Sequence, residues 1–425
     1  MKKILVVLDG AADLPINSLN ERTPLEAAET PNLDFLAENG KLGYMYPINE
    51  TTIPGSDNAL ISVFGNNPRL CKRGFYEAIG AGFELKKGDL ALRTNFGTIE
   101  NFKTRKVIDR RAGRTLTTKE AQVLTKTLNE KIKLDCKFEI KSTVQHRGVL
   151  ILRGNSGVDL KFSDKISNID SEWTEAGKKI SYFKFAEPLD NNKNSMRTVN
   201  VLNDFIRQAS KILADHPINL ERKKKGLFQA NMLFTRGAST EIPKIKSYKN
   251  WVSINPMPLE IGIAKLSKMK NFSFKLPELK TIDVYENLYN SLYQQINFSI
   301  KIIRKHHKNF NGCYIHFKET DVPGHDNKPY EKINLIEIID KKFFSFLKEM
   351  SLKYKWKVVI TCDHSTPCEL KSHSSHPVPV LVYDGKNLKN NEKKDHAHRF
   401  NEIEARIGSL GKFYGKDFMK NTGLE

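Results

Sequence analysis

Residues 1–10, MKKILVVLDG, place a five-residue apolar run (positions 4–8) directly in front of Asp9 and Gly10. An unbroken apolar run of that length reads as a strand buried on both faces of a parallel sheet, and such a strand delivers the next residue to the carboxyl edge. In open α/β sheets that edge is where sites form. The texture returns twice: CYIHF (313–317) runs into HFKETDVPGHD (316–326), and KVVIT (357–361) runs into TCDHSTP (361–367). Three separated strands thus end in acidic and histidine residues, and the expected class is α/β. The two lysines and the apolar stretch mimic a secretory leader. Five apolar residues closed by Asp9 fall short of the roughly 7–15 of a leader core, so the segment is read as a strand.

At 425 residues the chain is about three times a common domain length of roughly 150, which favours one large domain with an insertion, or two domains. With 39% hydrophobic and 28% charged residues the composition is that of a water-soluble globular protein, and no apolar run is long enough to span a bilayer. A formal charge of +20 raises the question of nucleic acid. The lysines are scattered, however, and the one dense run, 222–225 in ERKKKG, is short and lacks interleaved aromatics. It reads as a solvated face, with neither a nucleic-acid nor a membrane partner expected. The positive field suits small anionic substrates. Five cysteines without a CxxC pair give neither a disulfide framework nor a cysteine zinc site, so a reducing cytoplasm is the expected location.

A helix is expected from Pro31, with Thr30 as N-cap and Gly40 as stop, and a second with Ser56 and Asp57 as caps, running to Gly65. Between 106 and 185 the texture changes: TKEAQVLTKTLNEKI (118–132) is helical, and KFEIKST (137–143) and GVLILRG (148–154) are strands. This predicts an α+β insertion over 106–185, with 1–105 and 186–425 forming the core. A long amphipathic helix (198–216) and the strand QANMLFTRG (229–237) follow.

Asp9, Asp321, His325, Asp363, His364 and His373 give three carboxylates and three imidazoles at or just beyond strand ends. Taken singly, these aspartates are turn formers or helix caps. Two Asp/His pairs, each behind an apolar strand, point instead to two divalent cations with mixed oxygen and nitrogen ligands. His306, His307, His376, His396 and His398 are read as surface or loop residues. Paired cations suit phosphoryl transfer. Ser56 is the candidate acceptor, since Gly55 allows close approach, the following helix turns its free N–H groups outward, and coordination to a metal would activate the hydroxyl. The plainer reading of Ser56 is an N-cap.

VVLDGAADLP (6–15), TPLEAAETPNLDFLAENG (23–40), PGSDNALISVFG (54–65), DRRAGR (109–114), QHRGVLILRG (145–154), HFKETDVPGHD, TCDHSTP, SHPVPVLVY (375–383) and GSLGKFYGKDFM (408–419) occur in series. Together they resemble the archaeal-type, cofactor-independent phosphoglycerate mutase family of the alkaline phosphatase superfamily, from residue 1 to about 419. The resemblance implies a three-layer α/β core like that of alkaline phosphatase, carrying a smaller inserted domain that closes over the substrate. It makes Ser56 the phosphoryl acceptor, gives Asp321, His325 and His373 to one metal, and gives Asp9, Asp363 and His364 with Ser56 to the other. Mn²⁺ is the first expectation for both ions, with Zn²⁺, Co²⁺ and Mg²⁺ compatible.

The implied reaction interconverts 3-phosphoglycerate and 2-phosphoglycerate through a phosphoserine, with no 2,3-bisphosphoglycerate required. Arginine suits the substrate's phosphate and carboxylate. The candidates are Arg110, Arg111, Arg114, Arg147, Arg153 and Arg236, with Lys318, and His146 or Asp109 would move the proton. The chain departs from the family pattern at Gly65-Asn66-Asn67-Pro68, where Gly-Tyr-Asp-Pro is expected, and at 271–280, where NFSFKLPELK replaces a glycine-rich segment. The rival reading is a metal-dependent phosphatase or another phosphomutase on the same two-metal core. Oligomeric state is not legible.

Overall fold

In chain order the strands are β1 (Lys3–Leu8), β2 (Gly40–Tyr46), β3 (Leu90–Ile99), β4 (Val107–Asp109), β5 (Phe138–Ser142), β6 (Arg147–Leu152), β7 (Met232–Ser239), β8 (Trp251–Ile254), β9 (Lys270–Phe272), β10 (Gly312–Phe317), β11 (Lys357–Thr361), β12 (Val378–Asp384) and β13 (Gly411–Tyr414). The structure is a computed structural model that describes residues 1–71, 73–154, 161–170, 182–279, 281–386, 395 and 398–425. The strands form two sheets. The larger has eight, in the order β13-β2-β12-β11-β1-β10-β8-β9, and every neighbouring pair is parallel except the two made by β12.

Central strands β1, β10 and β11 are buried along almost their whole length. Consecutive strand residues point to opposite faces, so both faces of this sheet are covered. Helices Pro31–Glu38, Ser56–Val63, Pro258–Leu266, Val284–His306 and Pro329–Ile339 all add residues to its core. The expected layered α/β core is therefore present.

The smaller sheet is antiparallel, in the order β4-β3-β6-β5, with β7 on β3. One face carries Leu90, Leu92, Phe96, Leu150 and Leu152, and packs against apolar stripes of helices Thr118–Lys131 and Lys193–Ala214. On the other face Ala91, Val149 and Ile151 meet Phe75 and Ala78 of helix Arg73–Gly80. This unit runs from β3 to β7, so the segment 106–185 takes in only part of it. The long helix and β7 belong to this unit and not to the core expected for them; their pattern shows that one face is buried without showing against which sheet. The solvated reading of 222–225 fits the exposed Lys223, Lys224 and Lys225 but not Arg222, which is buried on Glu120, Thr115 and the Phe228 carbonyl. Among the described residues no helix is long and apolar enough to cross a membrane.

Candidate active site

The register of the large sheet assembles the site. Leu8 lies opposite Phe317, and Val7 opposite Thr361, so Asp9, Lys318 and Asp363 emerge along one carboxyl edge. Gly10, at φ +57°, turns the chain beneath them and donates its N–H to Asp363 Oδ1 (3.1 Å). A Cβ here would fall 2.4 Å from Thr366 Oγ1 and 2.7 Å from Asp321 Oδ1. Only glycine meets both the left-handed backbone and this close approach.

Helix Asp321–Asp326 carries Asp321 and His325 one turn apart, and His373 comes from the loop before β12. His325 Nε2 lies 3.3 Å from Asp321 Oδ2, and His373 Nε2 lies 3.5 Å from Asp321 Oδ1. The other ring nitrogens face carbonyls: His325 Nδ1 that of Lys371 (3.0 Å), His373 Nδ1 that of Pro54 (2.8 Å). A proton held on Nδ1 leaves both Nε2 lone pairs turned inward, as metal-binding imidazoles require.

The second group surrounds Ser56. His364 Nε2 lies 3.2 Å from Ser56 Oγ, 3.2 Å from Asp9 Oδ1 and 3.4 Å from Asp363 Oδ2. Its Nδ1 faces Thr366 Oγ1 (3.1 Å), which donates to Asp321 Oδ1 (2.8 Å), so one hydroxyl ties the two groups together. The rings of His364 and His373 stack at 3.7 Å. Asp9, Asp321 and His364 converge closely enough to share an ion, as do Asp321, His325 and His373. Lys318 Nζ bonds Asp9 Oδ2 and lies 3.4 Å from Ser56 Oγ. Burial opposes ionisation of Asp9, but the Lys318 ammonium together with His364 and His316 outweighs it and holds the carboxyl below its usual range. Asp363 is pushed up to about 7 by burial and by the charge of Asp9.

Ser56 is the first residue of its helix and Gly55 the cap, a one-residue correction to the expected capping. The Ser56 hydroxyl is thereby free of a capping duty. Asp57 binds Arg73 (3.1 Å).

Facing this edge is a basic surface on the smaller sheet. Arg93 pairs with Arg236 across β3 and β7, and Asn95 with Arg147 across β3 and β6, which puts all four side chains on one face. Arg111 joins them from the loop after β4, and His146 precedes Arg147. Burial, then the neighbouring arginines, lower Arg147 to about 9 and Arg93 and Arg111 to about 10. Among the described residues Arg111 and Arg147 pair with no carboxylate. His146 is 2% exposed, its Nδ1 makes no hydrogen bond, and burial beside these arginines holds it well below its usual value, hence neutral.

Other candidates are committed elsewhere. Arg153 lies just past the far end of β6, on Asp89 (2.7 Å) and Glu139 (3.2 Å), away from the site. Asp109 Oδ1 accepts the N–H groups of Arg111 (2.7 Å) and Gly113 (2.8 Å), so it shapes the arginine loop. Arg114 forks onto Asp326 (2.8 and 3.2 Å), and Arg110 onto Asp170 (2.6 Å), which also faces Arg236 at 3.7 Å.

Arg73, Arg93, Asp170, Glu260, His316 and Thr366 were not singled out by sequence. The visible signals are ionisable residues inside apolar strands: Arg93 in LALRTNF (90–96) and His316 in CYIHF. His376 faces Ser374 and takes no part in the site, and His306, His307 and His398 lie away from it. His396 falls outside the described residues.

A family model described as 2,3-bisphosphoglycerate-independent phosphoglycerate mutase matches residues 37–219. The protein of that name from Pyrococcus horikoshii is 37% identical over 423 residues, covering 98% of this chain and 95% of that protein. One from Methanopyrus kandleri is 32% identical, covering 97% and 94%. Among solved structures, a protein from Pyrococcus horikoshii superposes at a TM-score of 0.74 with 30% identity, covering 100% of this chain and 98% of that one. A cofactor-independent phosphoglycerate mutase from Thermoplasma acidophilum does so at 0.55 with 27% identity, covering 100% and 99%. Likeness of this extent, spanning both the metal-type edge and the basic face opposite it, means that the chain belongs to the 2,3-bisphosphoglycerate-independent phosphoglycerate mutase family.

Proposed function

We propose that the protein interconverts 3-phosphoglycerate and 2-phosphoglycerate without added 2,3-bisphosphoglycerate, passing the phosphoryl group to Ser56 and back. The observation that carries this is the joining of two ligand groups through Asp321, with Ser56 on His364 of the second, opposite a basic face on which Arg111 and Arg147 pair with no carboxylate among the described residues. The donor sets fit divalent cations: buried Asp9 Oδ1 and Asp363 Oδ2 make no hydrogen bond, and the imidazole Nε2 atoms turn inward. Asp321, His325 and His373 would hold one ion; Asp9, Asp363, His364 and Ser56 the other, with Mn²⁺ the first candidate. Such ions, when bound, lower the pKa of a hydroxyl and offset charge on the transferring phosphoryl group.

The chain's own groups do the rest. Ser56 Oγ, within reach of the Lys318 ammonium, attacks phosphorus; the Oγ–P bond forms, the P–O3 bond of the substrate breaks, and the proton that the Ser56 hydroxyl gives up is balanced by the one the glycerate O3 gains. Neutral His146, with its free Nδ1, is the group placed to act as base: it accepts the proton of the C2 hydroxyl as that oxygen attacks the phosphoserine and gives it up again as Ser56 regains its hydroxyl. Arg111 and Arg147 hold the glycerate carboxylate while it turns. The C2 oxygen then attacks the phosphoserine, returning Ser56 to its hydroxyl form. We take residues 90–239 as the unit that closes over glycerate, held shut by the Arg114–Asp326 pair, which Tyr285 Oη also joins at 3.0 Å. Quenching the Mn²⁺-loaded protein with labelled 3-phosphoglycerate tests this: label is expected on Ser56. Label on another residue, or turnover that survives Ser56→Ala, refutes it.

A further inference from the structure

Beneath the second ligand group lie two ionisable side chains that the phosphoryl-transfer scheme leaves unused. Glu260, in the first turn of helix Pro258–Leu266, is 1% exposed, and His316, in β10, is fully buried. The ring of His316 stands between Glu260 and the metal-type carboxylates. Its Nδ1 lies 3.3 Å from Glu260 Oε1 and 3.2 Å from the Tyr314 hydroxyl, and its Nε2 lies 3.5 Å from Asp363 Oδ2 and 3.8 Å from Asp9 Oδ2. Carboxylate oxygens therefore face both ring nitrogens, and whichever nitrogen carries a proton points it at a carboxylate.

The backbone of His316 is fixed on both sides. Its N–H donates to Asn255 Oδ1 (2.9 Å), and its carbonyl accepts from Gln295 Nε2 (2.7 Å). Glu260 Oε1 also lies 3.3 Å from Lys318 Nζ, the ammonium that bonds Asp9 and reaches Ser56. Both Glu260 oxygens, His316 Nε2 and Asp363 Oδ2 are buried without a conventional hydrogen bond. A buried carboxylate and imidazole are costly unless something holds them in register with partner charges. Here, apart from each other and the Tyr314 hydroxyl, their partners are ligands of the second group or the lysine beside the acceptor serine.

Resting on the two-metal reading above, we propose that Glu260 and His316 are positioning residues. His316 orients Asp363 and Asp9 toward the ion that they share with His364, and Glu260 anchors both the His316 ring and the Lys318 ammonium. Neither touches substrate. Outer partners of metal ligands commonly change metal affinity by roughly 10- to 100-fold when removed.

The test is titration of the full-length, metal-stripped protein with Mn²⁺, read by the EPR signal of free Mn²⁺, for the wild type, Glu260→Gln, His316→Gln and Ile263→Ala. Ile263 is a buried core residue on the same helix as Glu260 and serves as the control for lost packing alone. Two equivalents are expected in the wild type. Glu260→Gln and His316→Gln should weaken one of them by about 10- to 100-fold and leave the other within about twofold, with kcat falling while KM for 3-phosphoglycerate changes little. Ile263→Ala should lower the melting temperature with both Mn²⁺ affinities intact.

Unchanged Mn²⁺ binding in both polar variants overturns the proposal, as does equal weakening in Ile263→Ala. A third equivalent in the wild type that disappears in His316→Gln also overturns it, by making His316 a ligand. Mn²⁺ binding is read without substrate. A wild type that binds two equivalents yet fails to isomerise phosphoglycerate therefore refutes the mutase reading and leaves this one standing.

Discussion

The carboxyl edge of the eight-stranded sheet and the face of the five-stranded sheet opposite it are charged in opposite senses. Along the edge lie Asp9, Glu260, Glu319, Asp321 and Asp363, with the half-buried Lys318 ammonium set between Asp9, Glu260 and Ser56. On the facing surface, burial and then neighbouring arginines lower the proton affinity of Arg93, Arg111 and Arg147, and His146 is kept neutral. Each region alone stores like-charge repulsion. The acidic edge suits cations, the basic face suits an anion, and a phosphate ester with a carboxylate at its other end spans the two.

The largest effects should come from the acidic edge. Ser56→Ala and Asp363→Ala should each lower kcat by about a thousandfold or more, since each removes a group at the reacting atoms. Circular dichroism should show both variants folded. A residual rate of a tenth of wild type in either one breaks the assignment of the chemistry to this edge. Next come Arg111→Ala and Arg147→Ala. A charge-assisted hydrogen bond is worth about 1.5–3 kcal/mol, or roughly 10- to 100-fold in kcat/KM. The ratio of released phosphate to isomerised product should rise as well, because glycerate is then held less firmly. Equal ratios in variant and wild type would place the carboxylate elsewhere.

Smaller effects sharpen the comparison. Asp326→Asn loosens the contact that joins the Arg114 loop to the helix of Asp321 and His325, and should raise phosphate release a few-fold while sparing Mn²⁺ binding. Steady-state assays of both products measure this. The acidic edge also predicts a pH effect. Glu319 is pushed up to about 7, chiefly by burial and with a contribution from Asp9, from an ordinary value near 4.5. A raised carboxyl pKa contributes stability that is fully present below about 4.5 and is lost as pH rises through about 7. In the chelated protein, Glu319→Gln should therefore gain on the wild type in urea midpoint between pH 5 and 8; parallel curves would contradict this. Arg153→Ala should leave kcat/KM unchanged while costing about 1–3 kcal/mol in urea unfolding, because it strips the buried Asp89 carboxylate of its guanidinium partner.

The two regions also differed in how far the sequence revealed them. Asp9, Asp321, Asp363 and their histidines follow apolar strands directly, so a linear reading places them at one edge before any pairing is known. The basic face has no such local signature. Arg93, Arg147 and Arg236 sit on three strands whose neighbourhood is set by antiparallel register, and Arg236 is 143 positions from the arginine opposite it. Arg153 looked equivalent to Arg147 because both flank the same apolar run, but six residues of extended chain carry it to the other end of the strand. The limits of the smaller unit were missed for a related reason, since the amphipathic helix before β7 shows which of its faces is buried but not which sheet buries it.

The most direct test follows both products of the Mn²⁺-loaded wild type acting on 3-phosphoglycerate with no bisphosphate present. If the phosphoryl group passes to Ser56 and returns to glycerate held on the basic face, 2-phosphoglycerate should form at a rate far above that of phosphate release, and 2,3-bisphosphoglycerate should not raise it. A requirement for the bisphosphate, or phosphate release that outpaces isomerisation, would contradict the account.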